Sequence, residues 1–291
     1  MSTLDRTGTR PVGSRPDRSA VGWPVVVGYA LLAYASSWAC WLPLLMTGRV
    51  VRVGGSATHL PGLLGPALAA LLVAAVLARR GRPVGMRARL TRWRIGRWWL
   101  VACSPLAMVG LGAAVAALAG DPPAPGDFGL VNGFPQWGVV GVLGLLVLVN
   151  GLGEETGWRG FLQPRLQRGL RPLVAVVVLT GIWVGWHLPL FAVLSSYRGF
   201  SVGTLVGFTI GILCGAVVLG WLWNRTGSVP AVAVWHALYN LGAATVAATG
   251  TMAAVVTTLV IGQAVVLVVA ELVTGGRVFA PVPAARDSAH P

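Results

Sequence analysis

Two adjacent carboxylates, Glu154 and Glu155, stand in GLGEETGWRGFLQP directly after the apolar run GVVGVLGLLVLVNG, and the chain has only one other glutamate. An ionisable side chain inside a membrane span costs about 3 kcal/mol on insertion scales, so it marks a functional site by default. Arg159 follows Glu155 by four residues, one helical turn, and the two share a face. Glu154 then points about 100° away on the same helix and is left free to react. Two histidines also fall within apolar segments: His187 in GIWVGWHLPLF, and His236 in AVWHALYN with Asn240 one turn on.

A carboxylate and an imidazole that share a water could deprotonate it, provided burial has made the carboxylate basic enough. A second imidazole beside an amide could donate hydrogen bonds to a developing oxyanion. Together these parts describe attack of water on an amide bond. The plainer alternative is that each polar group only bonds a backbone or a neighbouring helix. Six such groups in three segments exceed that need. No cysteine lies near these residues, and there is no HExxH. Glu154, His187 and His236 could still hold a divalent metal such as zinc, because ligands can come from separate helices.

The elements that must position these groups are membrane helices. Of the 291 residues, 55% are hydrophobic and only 10% charged, and the mean hydropathy is +0.75. Too few polar residues exist to cover a soluble domain. The composition points to an all-α polytopic bundle of about eight transmembrane helices. The spans are expected near Trp23–Met46, Leu60–Ala78, Trp98–Ala119, Gln136–Gly157, Pro172–Leu194, Val202–Trp223, Val229–Ala247 and Met252–Val273. The first is too long for the apolar core of a signal peptide and no A-x-A site follows it, so it reads as a retained span. Residues 1–22 and 280–291 read as polar cytoplasmic tails, without fixed structure over 1–20 and 280–291, and the loop 120–135 as irregular.

The net charge of +14 comes wholly from arginine. Such an excess could suggest nucleic acid, but the arginines fill the gaps between apolar runs. With eight spans, nineteen of the 22 basic residues fall on one side, which makes both termini cytoplasmic by the positive-inside rule. The partners expected are the lipid bilayer and a peptide or membrane-protein substrate, with no nucleic acid. Cys40, Cys103 and Cys214 read as small packing residues. Gly203, Gly207, Gly211 and Gly215 recur every four residues and predict close packing of span six against a neighbour. Trp23, Trp98, Trp99, Trp137, Trp221 and Trp223 sit near span ends, as an interfacial belt requires. His59 and His290 lie in a loop and a tail and carry no evident role.

The three polar clusters resemble the motifs of the CPBP family, which comprises the CAAX prenyl endopeptidases and the bacteriocin-processing proteins. EETGWR is similar to its EExxxR motif, Trp183-Val-Gly-Trp-His187 to FxxxH with Trp in place of Phe, and His236-Ala-Leu-Tyr-Asn240 to HxxxN. They occur in family order, and the resemblance covers about 136–247, flanked by motif-free helices over 23–135 and 248–279. It implies an eight-span intramembrane endopeptidase cutting near the cytoplasmic face. Glu154 and His187 would activate water, His236 and Asn240 would stabilise the oxyanion, and Glu155, Arg159 and Trp183 would support them. A catalytically silent immunity or scaffold protein of this fold is the alternative, and a proton-coupled carrier a further one, although no internal repeat is visible. An Arg-only, Ala/Gly/Val-rich chain suggests a bacterium with GC-rich DNA, and hence a bacterial plasma membrane.

One dimension conflicts with this picture. At 1.5 Å per residue, His187 lies about 22 Å from the start of its span, whereas Glu154 falls at the very end of a span closing at Gly157. Straight helices with those boundaries cannot bring the two together.

Overall fold

Apolar runs of twenty or so residues can satisfy their backbone in lipid only as helices, and helices are what form. The computed structural model describes residues 18–281. Residues 1–17 and 282–291 lie outside it, and with them Arg6, Arg10, Arg15, His290 and most of the expected tails. Eight principal helices run in chain order: α1 (Trp23–Met46), α2 (Gly65–Arg79), α3 (Pro105–Leu118), α4 (Gly138–Leu166), α5 (Pro172–Trp186), α6 (Val202–Thr226), α7 (Val229–Ala243) and α8 (Gly250–Val273). Short helices at Leu60–Leu63 and Trp98–Ala102 lead into α2 and α3, and a further turn at Leu190–Val193 extends α5. Among the described residues the only β pairing is an isolated bridge between Val51 and Leu194. Five of these helical segments are long and apolar enough to cross a bilayer; the protein is an integral membrane protein.

Local sequence explains the boundaries. Proline stands in the first turn of α2, α3, α5 and α7, where its missing N–H leaves no bond unmade. Between α6 and α7 the chain reverses in two residues. Gly227 closes α6 with φ +58°, a conformation that favours glycine, and the Ser228 side chain then accepts a hydrogen bond from Ala231 N to open α7. This tight turn fixes α7, and so His236, against α6.

Helix α4 departs most from expectation. It does not stop at Gly157 but continues to Leu166. The polar string EETGWRG looked like the start of a loop, yet all seven of its residues are buried inside the bundle. The helix widens to π geometry over Leu146–Leu152 and again over Trp158–Leu162, either side of the two glutamates. Such insertions are rare and collect at functional sites. Glycines let the neighbours come close. A Cβ at Gly151 would strike the Ala233 carbonyl of α7, and one at Gly157 would strike the Tyr29 hydroxyl of α1.

The extension resolves the conflict of dimensions. Glu154 is twelve residues from the end of α4, about 18 Å along the axis. Trp183 is eleven residues into α5, about 17 Å. Antiparallel neighbours therefore carry both to one level.

Three further expectations are corrected. Beside Gly207, Gly211 and Gly215 an added Cβ would meet no atom within 4 Å, so the glycine stripe of α6 is not a packing face within this chain. Trp223 is buried in the core rather than at a lipid boundary, and Cys103 is exposed.

The arginine-poor end of the bundle is closed by loops. Asn132 donates to Ser196 Oγ at 2.7 Å and accepts from Ser195 Oγ at 3.1 Å, while Thr58 Oγ1 donates to the Gly133 carbonyl at 2.7 Å. Beneath them lies His59, which is buried, with its Nδ1 lacking a hydrogen-bond partner. It thus needs the explanation that a loop residue would not. Burial lowers its pKa from 6.5 to about 4, so the folded protein keeps the ring neutral while the unfolded chain takes up a proton below about pH 6.5. Stability must fall as pH drops through the window from 6.5 to 4, by about 3 kcal/mol at the limit. Thermal unfolding in detergent between pH 7.5 and 4.5 should show a smaller acid-induced loss for His59→Gln than for the wild type. Equal losses would mean that His59 is not the group responsible.

On the arginine-rich side the chain after α8 folds back. Glu271 Oε2 accepts from Phe279 N at 2.8 Å and Asn224 Nδ2 donates to Phe279 O at 2.7 Å. Gln163 of α4 in turn donates to Asn224 Oδ1 at 3.2 Å. Residues up to Phe279 are therefore anchored to α4 and α6.

Candidate active site

Helices α4, α5 and α7 bring the three polar clusters to one place. Glu155 and Arg159 form the expected pair across one turn of α4, with Arg159 Nη1 donating to Glu155 Oε1 at 2.8 Å and both side chains fully buried. The same oxygen receives a second bond that spacing could not show, from His236 Nδ1 of α7, also at 2.8 Å. An ionised carboxylate only accepts. His236 Nδ1 therefore carries a proton, and its Nε2 is the ring nitrogen turned to other use. Glu155 thus ties α4 to α7 besides neutralising Arg159.

Glu154 points away from that pair, as the helical spacing requires. Its Oε2 accepts from the indole Nε1 of Trp183 at 2.8 Å, and its Oε1 faces Asn150 Nδ2 at 3.4 Å. Asn150 lies one turn earlier on α4. It went unremarked in sequence, although its i,i+4 spacing to Glu154 was a readable signal.

His187 is placed by a break in α5. The regular helix ends at Trp186, and the His187 N–H bonds the Val184 carbonyl three residues back. Pro189 follows with no N–H to give. The Trp183 carbonyl accordingly loses the amide that an α-helix would supply, and His187 Nδ1 takes its place at 2.7 Å. A carbonyl can only accept, so Nδ1 holds the ring proton and Nε2 presents its lone pair. This is the tautomer a general base needs.

Glu154 and His187 are not hydrogen-bonded to one another. Trp183 stands between them, its N–H on one and its carbonyl on the other. Its ring also covers the Arg159 guanidinium, 4.5 Å from carbon to centroid, and meets the His236 ring edge to face at 5.6 Å. The tryptophan that replaces the motif's phenylalanine is therefore more than an equivalent packing ring. Asn240, one turn beyond His236, is partly exposed and makes no side-chain hydrogen bond among the described residues. Among those residues, no group of three His, Cys, Asp or Glu side chains is placed to hold a metal ion. Glu154, His187 and His236 thus do not form a ready ligand set in this arrangement.

The arrangement offers a buried carboxylate, an imidazole with a free lone pair, and a second imidazole backed by a carboxylate and a guanidinium. Comparison with known proteins meets it on the same segment. The family model described as type II CAAX prenyl endopeptidase, Rce1-like, matches residues 136–242. A protein of Methanococcus maripaludis named CAAX prenyl protease 2 is 31% identical over 102 residues, which is 33% of this chain and 37% of that protein. The match therefore spans little more than a third of the relative. With EExxxR, a Trp-substituted FxxxH and HxxxN converging in space as well as in order, residues 136–242 are similar to the CPBP family that includes the type II CAAX prenyl endopeptidases.

Proposed function

We propose that this protein is an intramembrane endopeptidase in which Glu154 and His187 activate a water for attack on a peptide bond. The observation that carries the reading is the locked tautomer of His187, with its Nε2 lone pair free on the helix whose Trp183 holds the Glu154 carboxylate. Water binds between the two and gives up a proton as its oxygen attacks the carbonyl carbon. The proton then passes to the leaving amine, the C–N bond breaks, and one water is consumed per bond cut.

His236 and Asn240 serve the oxyanion. Because His236 Nδ1 is committed to Glu155, donation from Nε2 requires the doubly protonated ring. Two carboxylates against Arg159 alone would leave the cluster at a net negative charge, and a protonated His236 makes it neutral. The loss of one such donor typically costs about a hundredfold in rate. A substrate would enter from the arginine-rich face, taken as cytoplasmic, and must reach some way along α4. Incubating the detergent-extracted protein with peptides bearing or lacking an isoprenyl cysteine, then identifying new termini by mass spectrometry, tests the reading. A chelator arm tests metal dependence. Internal cleavage is expected, and its absence for every peptide would overturn the proposal.

Trp183 supplies a sharper check on the geometry. Phenylalanine would keep a ring over Arg159 but lose the N–H that holds Glu154. A hydrogen bond to a charged group contributes about 1.5–3 kcal/mol, so Trp183→Phe should lower the melting temperature modestly and kcat about tenfold or more, with KM little changed. Unchanged turnover would show that the indole N–H does not orient the carboxylate for reaction.

A further inference from the structure

Away from the glutamates, at the arginine-rich end of α4, three guanidinium groups meet. Arg165 and Arg168 come from the end of that helix and Arg89 from the short helix Met86–Leu90, and with Val84, Phe161 and Pro164 they line a notch. Arg165 is only 8% exposed. Its guanidinium lies 5.4 Å from the centre of the Phe161 ring, and among the described residues it has neither a carboxylate nor a hydrogen-bond partner. Arg89 donates from Nη1 to the Gly160 carbonyl at 2.6 Å. Burial, together with the charges of Arg168 and Arg165, lowers its pKa to about 10, so it remains a cation at neutral pH.

Among the described residues no acid answers these charges. Of the carboxylates among the described residues, Asp121 and Asp127 lie in the loop at the other end of the bundle, Glu154 and Glu155 are held in the active site, and Glu271 is taken by Phe279 N. The helix C-terminus supplies only about half a negative charge. Three close cations in a partly buried setting therefore lack a counter-charge within the described structure. An arginine fork matches the oxygens of a phosphate, and basic pockets between membrane helices bind anionic headgroups. The cavity itself is small, about 10 Å³, and admits one phosphoryl oxygen rather than a headgroup. The remainder of the bound molecule lies outside the notch, at the end of a membrane helix where anionic headgroups are concentrated.

We infer that Arg89, Arg165 and Arg168 form a binding site for the phosphate of an anionic phospholipid. The site lies outside the proposed catalytic groups and does not depend on their role. Bound there, the lipid braces the end of α4 through Arg165 and, by way of Arg89, the Gly160 carbonyl in the π turn after Glu155 and Arg159.

The test uses the full chain in detergent, titrated separately with phosphatidylglycerol, phosphatidylcholine and inorganic phosphate. Melting temperature and lipid retained in native mass spectrometry are read in each case. Phosphatidylglycerol should be retained and should raise the melting temperature of the wild type, with phosphatidylcholine giving little. Arg165→Gln/Arg168→Gln should bind it about tenfold more weakly or worse. Arg168→Glu, changed only at an exposed position, guards against misfolding: its lipid-free melting temperature should be no lower than the wild type's while the phosphatidylglycerol response is lost. An equal response in wild type and Arg168→Glu, or none in the wild type, would overturn the site. Equal protection by inorganic phosphate would overturn the lipid assignment.

Discussion

Glu154→Gln is expected to reduce turnover by about a hundredfold or more while leaving the folded protein intact, because it removes the base and little else. The surroundings favour a clean outcome. Glutamine retains one oxygen for the Trp183 N–H, which now reaches Oε2 at 2.8 Å. Its new amide can donate towards Asn150, whose Oδ1 is buried without a partner. The substitution thus exchanges one satisfied arrangement for another of the same shape and keeps Glu155, Arg159 and His236 as they are. Melting temperature and turnover in detergent should separate cleanly. A variant that cleaves as fast as the wild type would remove Glu154 as base, and one that fails to fold would mean that its charge is structural.

The opposite pattern is expected one residue on. Glu155→Ala leaves the fully buried Arg159 without its anion, and strands His236 Nδ1 as well, since both bond the same oxygen. Removing one member of a buried pair costs about 3–5 kcal/mol, chiefly because the remaining charge stays buried and unpaired. Membership of a three-way contact between α4 and α7 places Glu155 towards the upper end. Glu155→Ala and Arg159→Ala should both lower the yield and melting temperature of folded protein, with activity lost as a consequence. Arg159→Lys should be milder, because only Nη1 of the guanidinium is bonded while Nε and Nη2 are buried without partners. A stable, inactive Glu155→Ala beside an unfolded Glu154→Gln would reverse the assigned roles.

Helices and motifs were legible because each depends on neighbours in the chain. Lipid forces every apolar run into a helix, so the eight principal helices followed from hydropathy, although only five of the segments are long and apolar enough to cross a bilayer. The Glu155–Arg159 pair followed from one helical turn. Even the freed carbonyl near Pro189 was open to anticipation from proline chemistry, although its recipient, the ring of His187, was not.

What escaped the sequence was every relation between helices. Hydropathy ended α4 at Gly157 because polar residues ordinarily mark a boundary. Here they are buried by α1, α2 and α7, and burial is a property of the partner surfaces, not of the string itself. The glycines of α6 show the converse: a spacing that permits close approach does not supply a neighbour, and none comes. His236 was assigned to Asn240 because they share a face, yet its Nδ1 belongs to Glu155 eighty-one residues away. Trp183 matched a phenylalanine position, and only the fold shows its N–H on Glu154. Residue type and periodicity thus determined the helices and the chemistry available to the protein. Depth, tautomer and pairing were decided by the tertiary structure, because a hydrogen bond forms at about 3 Å between whichever groups packing brings together.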